Sequence, residues 1–98
     1  TEIYTLSLHD ALPISAGAAV VGTGRSDFPN QINNSLVFPG VFRGALDSHS
    51  TRVTTRMKLA AANALAAMIA EPTPEIVIPW SLDRQVAQTV ANAVSDAA

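Results

Sequence analysis

The chain has 98 residues, room for one small domain at most. Its apolar fraction is 48%, of which 17 residues are alanine, so the core is thin for the length. The net charge of −2, the scatter of six basic residues between Arg25 and Arg84, and the lack of cysteine exclude a strongly basic nucleic-acid binder, a disulfide framework and a thiol nucleophile. No apolar run approaches the ~18 residues of a membrane span. Glu2 and Asp10, with no Lys or Arg before Arg25, do not suit a secretory signal. A charged fraction of 14%, against a usual value of about 25%, describes a piece whose faces expect covering by something else.

Residues 1–15, TEIYTLSLHDALPIS, differ in texture from the rest. Leu6, Leu8, Leu12 and Ile14 alternate like a strand, but Asp10 and Pro13 interrupt it. The stretch resembles a translated sequencing adapter and is expected to be a non-native N-terminal segment; the other reading is a genuine strand and turn. Residues 16–22, AGAAVVG, form a short apolar run without alternation, which predicts a strand covered on both faces, as in a parallel sheet. Gly22, Thr23 and Gly24 give it a flexible exit into a polar stretch. In open α/β sheets ligands bind beyond the carboxyl ends of strands, so that stretch is the side to watch.

Residues 32–47 carry Leu36, Phe38, Phe42 and Leu46 at helical spacing. Asn33, Asn34 or Ser35 can accept from an orphan N–H at the start, and Pro39 should kink or restart the helix. Residues 54–70 give the clearest helix, with Thr54 as N-cap and Met57, Ala61, Ala64, Leu65 and Met68 on one face. Pro72 and Pro74 end it. Residues 76–78 make a short extended piece. Ser81 is expected to cap a last helix with a stripe of Leu82, Val86, Thr89, Val90, Ala93 and Ala97, and Asp83 in its first turn.

The run from Gly22 to Asp47, GTGRSDFPNQINNSLVFPGVFRGALD, is similar to a signature near the C-terminal end of the nucleotide-binding domain of bacterial malic enzymes. The similarity continues through TRVTTRMKLAAANALAAM and IVIPWSLDRQVAQTVANAV, so it covers roughly residues 16–98. It weakens at Trp80, where the family more often has a polar or small residue. The resemblance implies an α/β fold class, the C-terminal part of a doubly wound, Rossmann-like dinucleotide-binding domain, mostly helical with one apolar strand. It implies oxidation of malate and decarboxylation of the resulting oxaloacetate to pyruvate, with NAD or NADP as hydride acceptor and Mg or Mn as Lewis acid. It also implies a cytoplasmic homo-oligomer acting on a small molecule, with no membrane or nucleic-acid partner.

Much of that family's apparatus lies upstream of the matching region: the catalytic tyrosine and lysine, the acidic metal ligands and the Gly-rich fingerprint. Tyr4 and Lys58 do not replace them, and Gly22-Thr23-Gly24 lacks the third glycine of G-x-G-x-x-G. The chain is therefore expected to be a C-terminal fragment with no catalytic or metal-ligating residue of its own. The resemblance carries over the paired asparagines: Asn33 and Asn34 as substrate-binding residues, with Asn33 also beside the cofactor. An uncharged amide supplies two donors and an acceptor, suited to a dicarboxylate and an alcohol. The competing role for either is a helix cap.

Other polar residues have structural readings. Arg25 with Asp27 predicts a loop ion pair, Arg43 with Asp47 an i, i+4 pair, and His49 a surface histidine. Trp80 should pack or mark an interface. Glu71 and Glu75 flank prolines and lack the spacing of a rigid metal pair. A different functional class stays open beside the enzyme: a non-catalytic helical interaction module that reuses the alanine-rich helices.

Overall fold

The computed structural model describes residues 16–98; the expectation of a non-native segment at 1–15 lies outside the described residues. A 3-10 turn at Asn34–Leu36 leads into α1 (Phe38–Asp47), followed by α2 (Thr55–Ala67) and α3 (Gln85–Asp96). Pro39 sits in the first turn of α1, where its missing N–H costs nothing and its fixed φ suits a helix start. The chain thus restarts there rather than kinking. Thr54 caps α2: its side chain accepts from Met57 N–H while Met57 Sδ accepts from the Thr54 N–H.

The last helix begins later than the sequence suggests. Ser81 does not cap it; the turn of α3 starts at Gln85, whose N–H is taken by Asp83 Oδ1 at 2.9 Å. Asp83 is the short acceptor nearest the helix start, two residues before that N–H. Leu82 consequently falls outside the helix and is exposed.

α3 is the central helix and packs against both α1 and α2, which touch each other little. The core joins Leu36 with Met57, Ala61 and Leu65 of α2 and Val86, Val90 and Val94 of α3. Val90 and Val94 are completely buried, each worth about 1.5–3 kcal/mol of apolar burial.

The face that α1 gives to this core is its small one. Gly40, Gly44 and Ala45 are buried, whereas Phe38, Phe42 and Leu46 are exposed. A Cβ on Gly40 would stand 2.6 Å from Val90 Cβ, so the two helix backbones approach at a distance that only glycine permits. The apolar spacing was legible; which side of α1 meets α3 was decided by this close approach.

The expected strand at 16–22 does not form. Residues 16–20 are exposed, and pairing among the described residues is limited to isolated bridges, Thr23 with Gln31 and Thr73 with Ile76. A strand gains its ladder bonds only from neighbours, and the described residues present no partner strand to the apolar run.

Candidate functional site

The polar stretch between Gly22 and Leu36 folds back on itself. Ile32 N–H donates to Thr23 C=O at 2.7 Å, and Thr23 N–H donates to Asn30 C=O at 3.3 Å. Asn30 adopts φ 56°, a left-handed conformation that asparagine tolerates better than most residues. Its side chain is buried, with both amide hydrogens and the oxygen engaged. Nδ2 donates to Val21 C=O at 3.2 Å and to Pro74 C=O at 2.9 Å, and Oδ1 accepts from Val77 N–H at 2.9 Å. This amide ties the polar stretch to the turn around 74–77, a role the sequence reading missed; the extended piece expected at 76–78 is reduced to the isolated Thr73–Ile76 bridge, which closes a turn at Pro74 and Glu75. Its signal was faint: an Asn directly after Pro29 and before a return of the chain is a turn residue with a local hydrogen-bonding side chain.

Asn33 and Asn34 follow at the 3-10 turn. Asn33 caps it, Oδ1 accepting from Ser35 N–H at 3.0 Å. That engages the acceptor and leaves the amide NH2 as the group Asn33 can offer elsewhere. Asn34 is exposed, and its side chain takes no partner among the described residues. Backbone bonds from Leu36 N–H to Asn33 C=O and from Val37 N–H to Asn34 C=O, each 3.0 Å, hold the turn, and buried Leu36 anchors it to the core. The two candidates are therefore adjacent but unequal: Asn33 does local structural work, and Asn34 presents a complete amide.

The remaining polar residues take the structural roles expected of them. Arg25 binds Asp27 at 2.7 Å and lies over the Phe28 ring at 4.7 Å from its centre. Hydrogen bonding from the Arg25 side chain holds the exposed Asp27 carboxyl below its usual value, with the guanidinium charge adding to the effect. Arg43 pairs with Asp47 at 2.8 Å along α1. His49 is exposed in a left-handed turn after α1. Trp80 is exposed and, with Asn30, Gln31 and Ser81, lines a cleft of about 490 Å³. Among the described residues no group of three His, Asp or Glu side chains could hold a metal.

Residues 3–98 match the family model described as malic enzyme, NAD binding domain. The chain belongs to the malic enzyme family. It is 55% identical over 85 residues to the bifunctional malic/malolactic enzyme of Bacillus subtilis, covering 85% of this chain and 21% of that protein. It is 48% identical over 81 residues to the NAD-dependent malic enzyme of Geobacillus stearothermophilus, covering 81% and 17%. Among solved structures, the malic enzyme of Pyrococcus horikoshii superposes with a TM-score of 0.81 at 51% identity, over 85% of this chain and 19% of that one. The NAD-dependent malic enzyme of Thermotoga maritima gives 0.76 at 46% identity, over 89% and 24%. The chain thus spans about a fifth of the length of the malic enzymes it matches.

Proposed function

We propose that this chain is the C-terminal part of the doubly wound dinucleotide-binding domain of a malic enzyme, and that it supplies part of the wall where malate meets the nicotinamide. The reaction assigned to the whole enzyme is oxidative decarboxylation. A hydride leaves the hydroxyl-bearing carbon of malate and the hydroxyl loses its proton to a base, giving oxaloacetate; loss of CO2 leaves the enolate of pyruvate, and an acid returns a proton to the carbon that held the CO2 to give pyruvate. NAD or NADP accepts the hydride when bound. Mg or Mn, when bound, would polarise the hydroxyl and keto oxygens as a Lewis acid.

The observation that carries the reading is Asn34: an amide with no partner among the described residues, held on a turn whose backbone is fixed on both sides. Such a group can donate to a carboxylate and accept from a hydroxyl without carrying charge. Asn33 keeps its NH2 for substrate or nicotinamide while its oxygen maintains the turn. Its relatives include NAD-dependent and NADP-dependent malic enzymes, which supports the same reaction for this chain with either dinucleotide. The interaction-module reading gains no comparable support, because a protein some five times longer has ample chain to cover the exposed faces.

The test uses the full-length enzyme built around this segment, made by exchanging it for the matching segment of the Bacillus subtilis relative. Asn34→Ala removes a substrate hydrogen bond worth about 1–3 kcal/mol, so kcat/KM for malate should fall roughly 5- to 150-fold. Asn34→Asp should be worse, since a carboxylate would face a dianion. Unchanged malate kinetics in both variants would remove Asn34 from the substrate site.

A further inference from the structure

We propose that Asn30 is a positioning residue for the substrate wall: its buried amide fixes the approach to the Asn33–Asn34 turn and, through Asn34, sets how malate is held. This rests on the reading of Asn34 given above and extends it to a residue that touches no substrate.

The geometry begins with what holds the turn in place. On its C-terminal side the anchor is Leu36, buried in the helical core. On its N-terminal side the backbone bonds of residues 30–32 reach only Thr23, on a segment that has no sheet partner among the described residues. Attachment of that loop to the rest of the molecule falls to side chains. Asn30 bonds Pro74 C=O and Val77 N–H at 2.9 Å each, spanning 44 and 47 residues of chain. Gln31 adds a long contact, its Oε1 accepting from Ser81 Oγ at 3.4 Å. The Asn30 amide is thus the main tie between the loop and the 74–77 piece.

The chemistry allows no simple replacement at this position. Asn30 uses two donor bonds and one acceptor bond, an inventory that aspartate lacks on the donor side and serine cannot reach. The backbone at φ 56° further restricts the choice to residues at ease in the left-handed region. Glycine accepts that backbone and deletes the tie, so Asn30→Gly separates the side-chain bonds from backbone strain. Positioning matters here because a substrate-orienting group displaced by about 1 Å can cost up to two orders of magnitude in rate.

The experiment is a double-mutant cycle in the same full-length enzyme: parent, Asn30→Gly, Asn34→Ala, and both together, with kcat and KM for malate, KM for the dinucleotide, and melting temperature. The expected result is that Asn30→Gly lowers kcat/KM for malate about tenfold or more, with less than about a twofold change in dinucleotide KM. In the Asn34→Ala background the same substitution should cost less than about threefold, because the group it positions is gone. Equal losses in both backgrounds, or a lowered melting temperature with unchanged malate kinetics, would overturn the proposal and make Asn30 a stability residue only. If Asn34→Ala is itself silent, the reading of Asn34 fails, and a surviving Asn30→Gly effect shows that Asn30 acts through something else. Should Asn30→Gly fail to fold, Asn30→Asp keeps the acceptor for Val77 N–H and runs through the same cycle with the same two outcomes.

Discussion

Gly44 and Val94 lie so close across the α1–α3 contact that a Cβ on Gly44 would stand 2.8 Å from Val94 Cβ and 2.5 Å from the Ala91 carbonyl oxygen. The second distance involves helix backbone, which cannot swing aside. Alanine is favoured over glycine inside a helix by about 1 kcal/mol. Gly44→Ala should nevertheless destabilise the chain, since overpacking costs about 1–3 kcal/mol and backbone contact lies at the upper end or beyond. Urea unfolding gives the sign. A stabilised variant would mean that α1 and α3 are further apart in solution.

Apolar side chains of similar appearance in the sequence should respond oppositely to truncation. Met57 is 1% exposed and Phe42 is 57% exposed. Met57→Ala should cost about 2–5 kcal/mol. Phe42→Ala loses mainly its ring contact with Phe38, centroids 5.8 Å apart, and should cost less than about 1 kcal/mol in the 98-residue chain. A Phe42 variant as damaging as the Met57 variant would show that the outer face of α1 is covered within the chain itself.

The asparagine pair should divide on stability as well as on kinetics. Asn33→Ala removes the cap of the 3-10 turn and should cost about 0.5–2 kcal/mol, while Asn33→Asp, an equally good cap, should be tolerated. Asn34→Ala should leave the melting temperature where it was. Equal thermal effects at both positions would contradict the division of labour between them.

Asp27 is lowered by its bond from Arg25, so the folded state favours the ionised form. The contribution is present above the unfolded value, close to 3.8, and is lost as pH falls through the lower folded value. Because the pair is exposed, its effect is screened. Asp27→Asn should lower the neutral-pH melting temperature only slightly at about 0.15 M salt. That small difference should fade as pH falls below 3.8 and the parent's carboxyl takes up its proton. A large loss at neutral pH would show that Asp27 holds the loop rather than decorating it.

The 98-residue chain alone should not turn over malate. Asn33 and Asn34 can bind and orient, but a neutral amide does not serve as a general base at pH 7. Purified chain assayed with malate, manganese and either dinucleotide should match the no-enzyme rate; turnover above it would place the proton-transfer groups within these residues.

Much of this protein is written locally, and those parts were legible. Thr54 starts and caps α2 because a hydroxyl three residues before an N–H is a short-range fact. Pro39 places the start of α1 for the same kind of reason, and the Arg43–Asp47 pair follows from helical spacing alone. The Gly22–Asp47 run likewise carried the family without any coordinates, since its specificity lies in the order of its residues. The tertiary structure decided what depends on distant partners. The apolar run at 16–22 has strand chemistry but no neighbour to pair with among the described residues, so it shows no ladder there. The small face of α1 is buried instead of its aromatic face because the backbone of α3 comes within reach only at glycine. Asn30 became a tie, and Asn34 an unpartnered amide, because Pro74 and Val77, more than 40 residues away, arrive beside the one and no described group arrives beside the other. Local propensity fixes conformation within a few residues; which polar groups find partners is settled by where the chain returns.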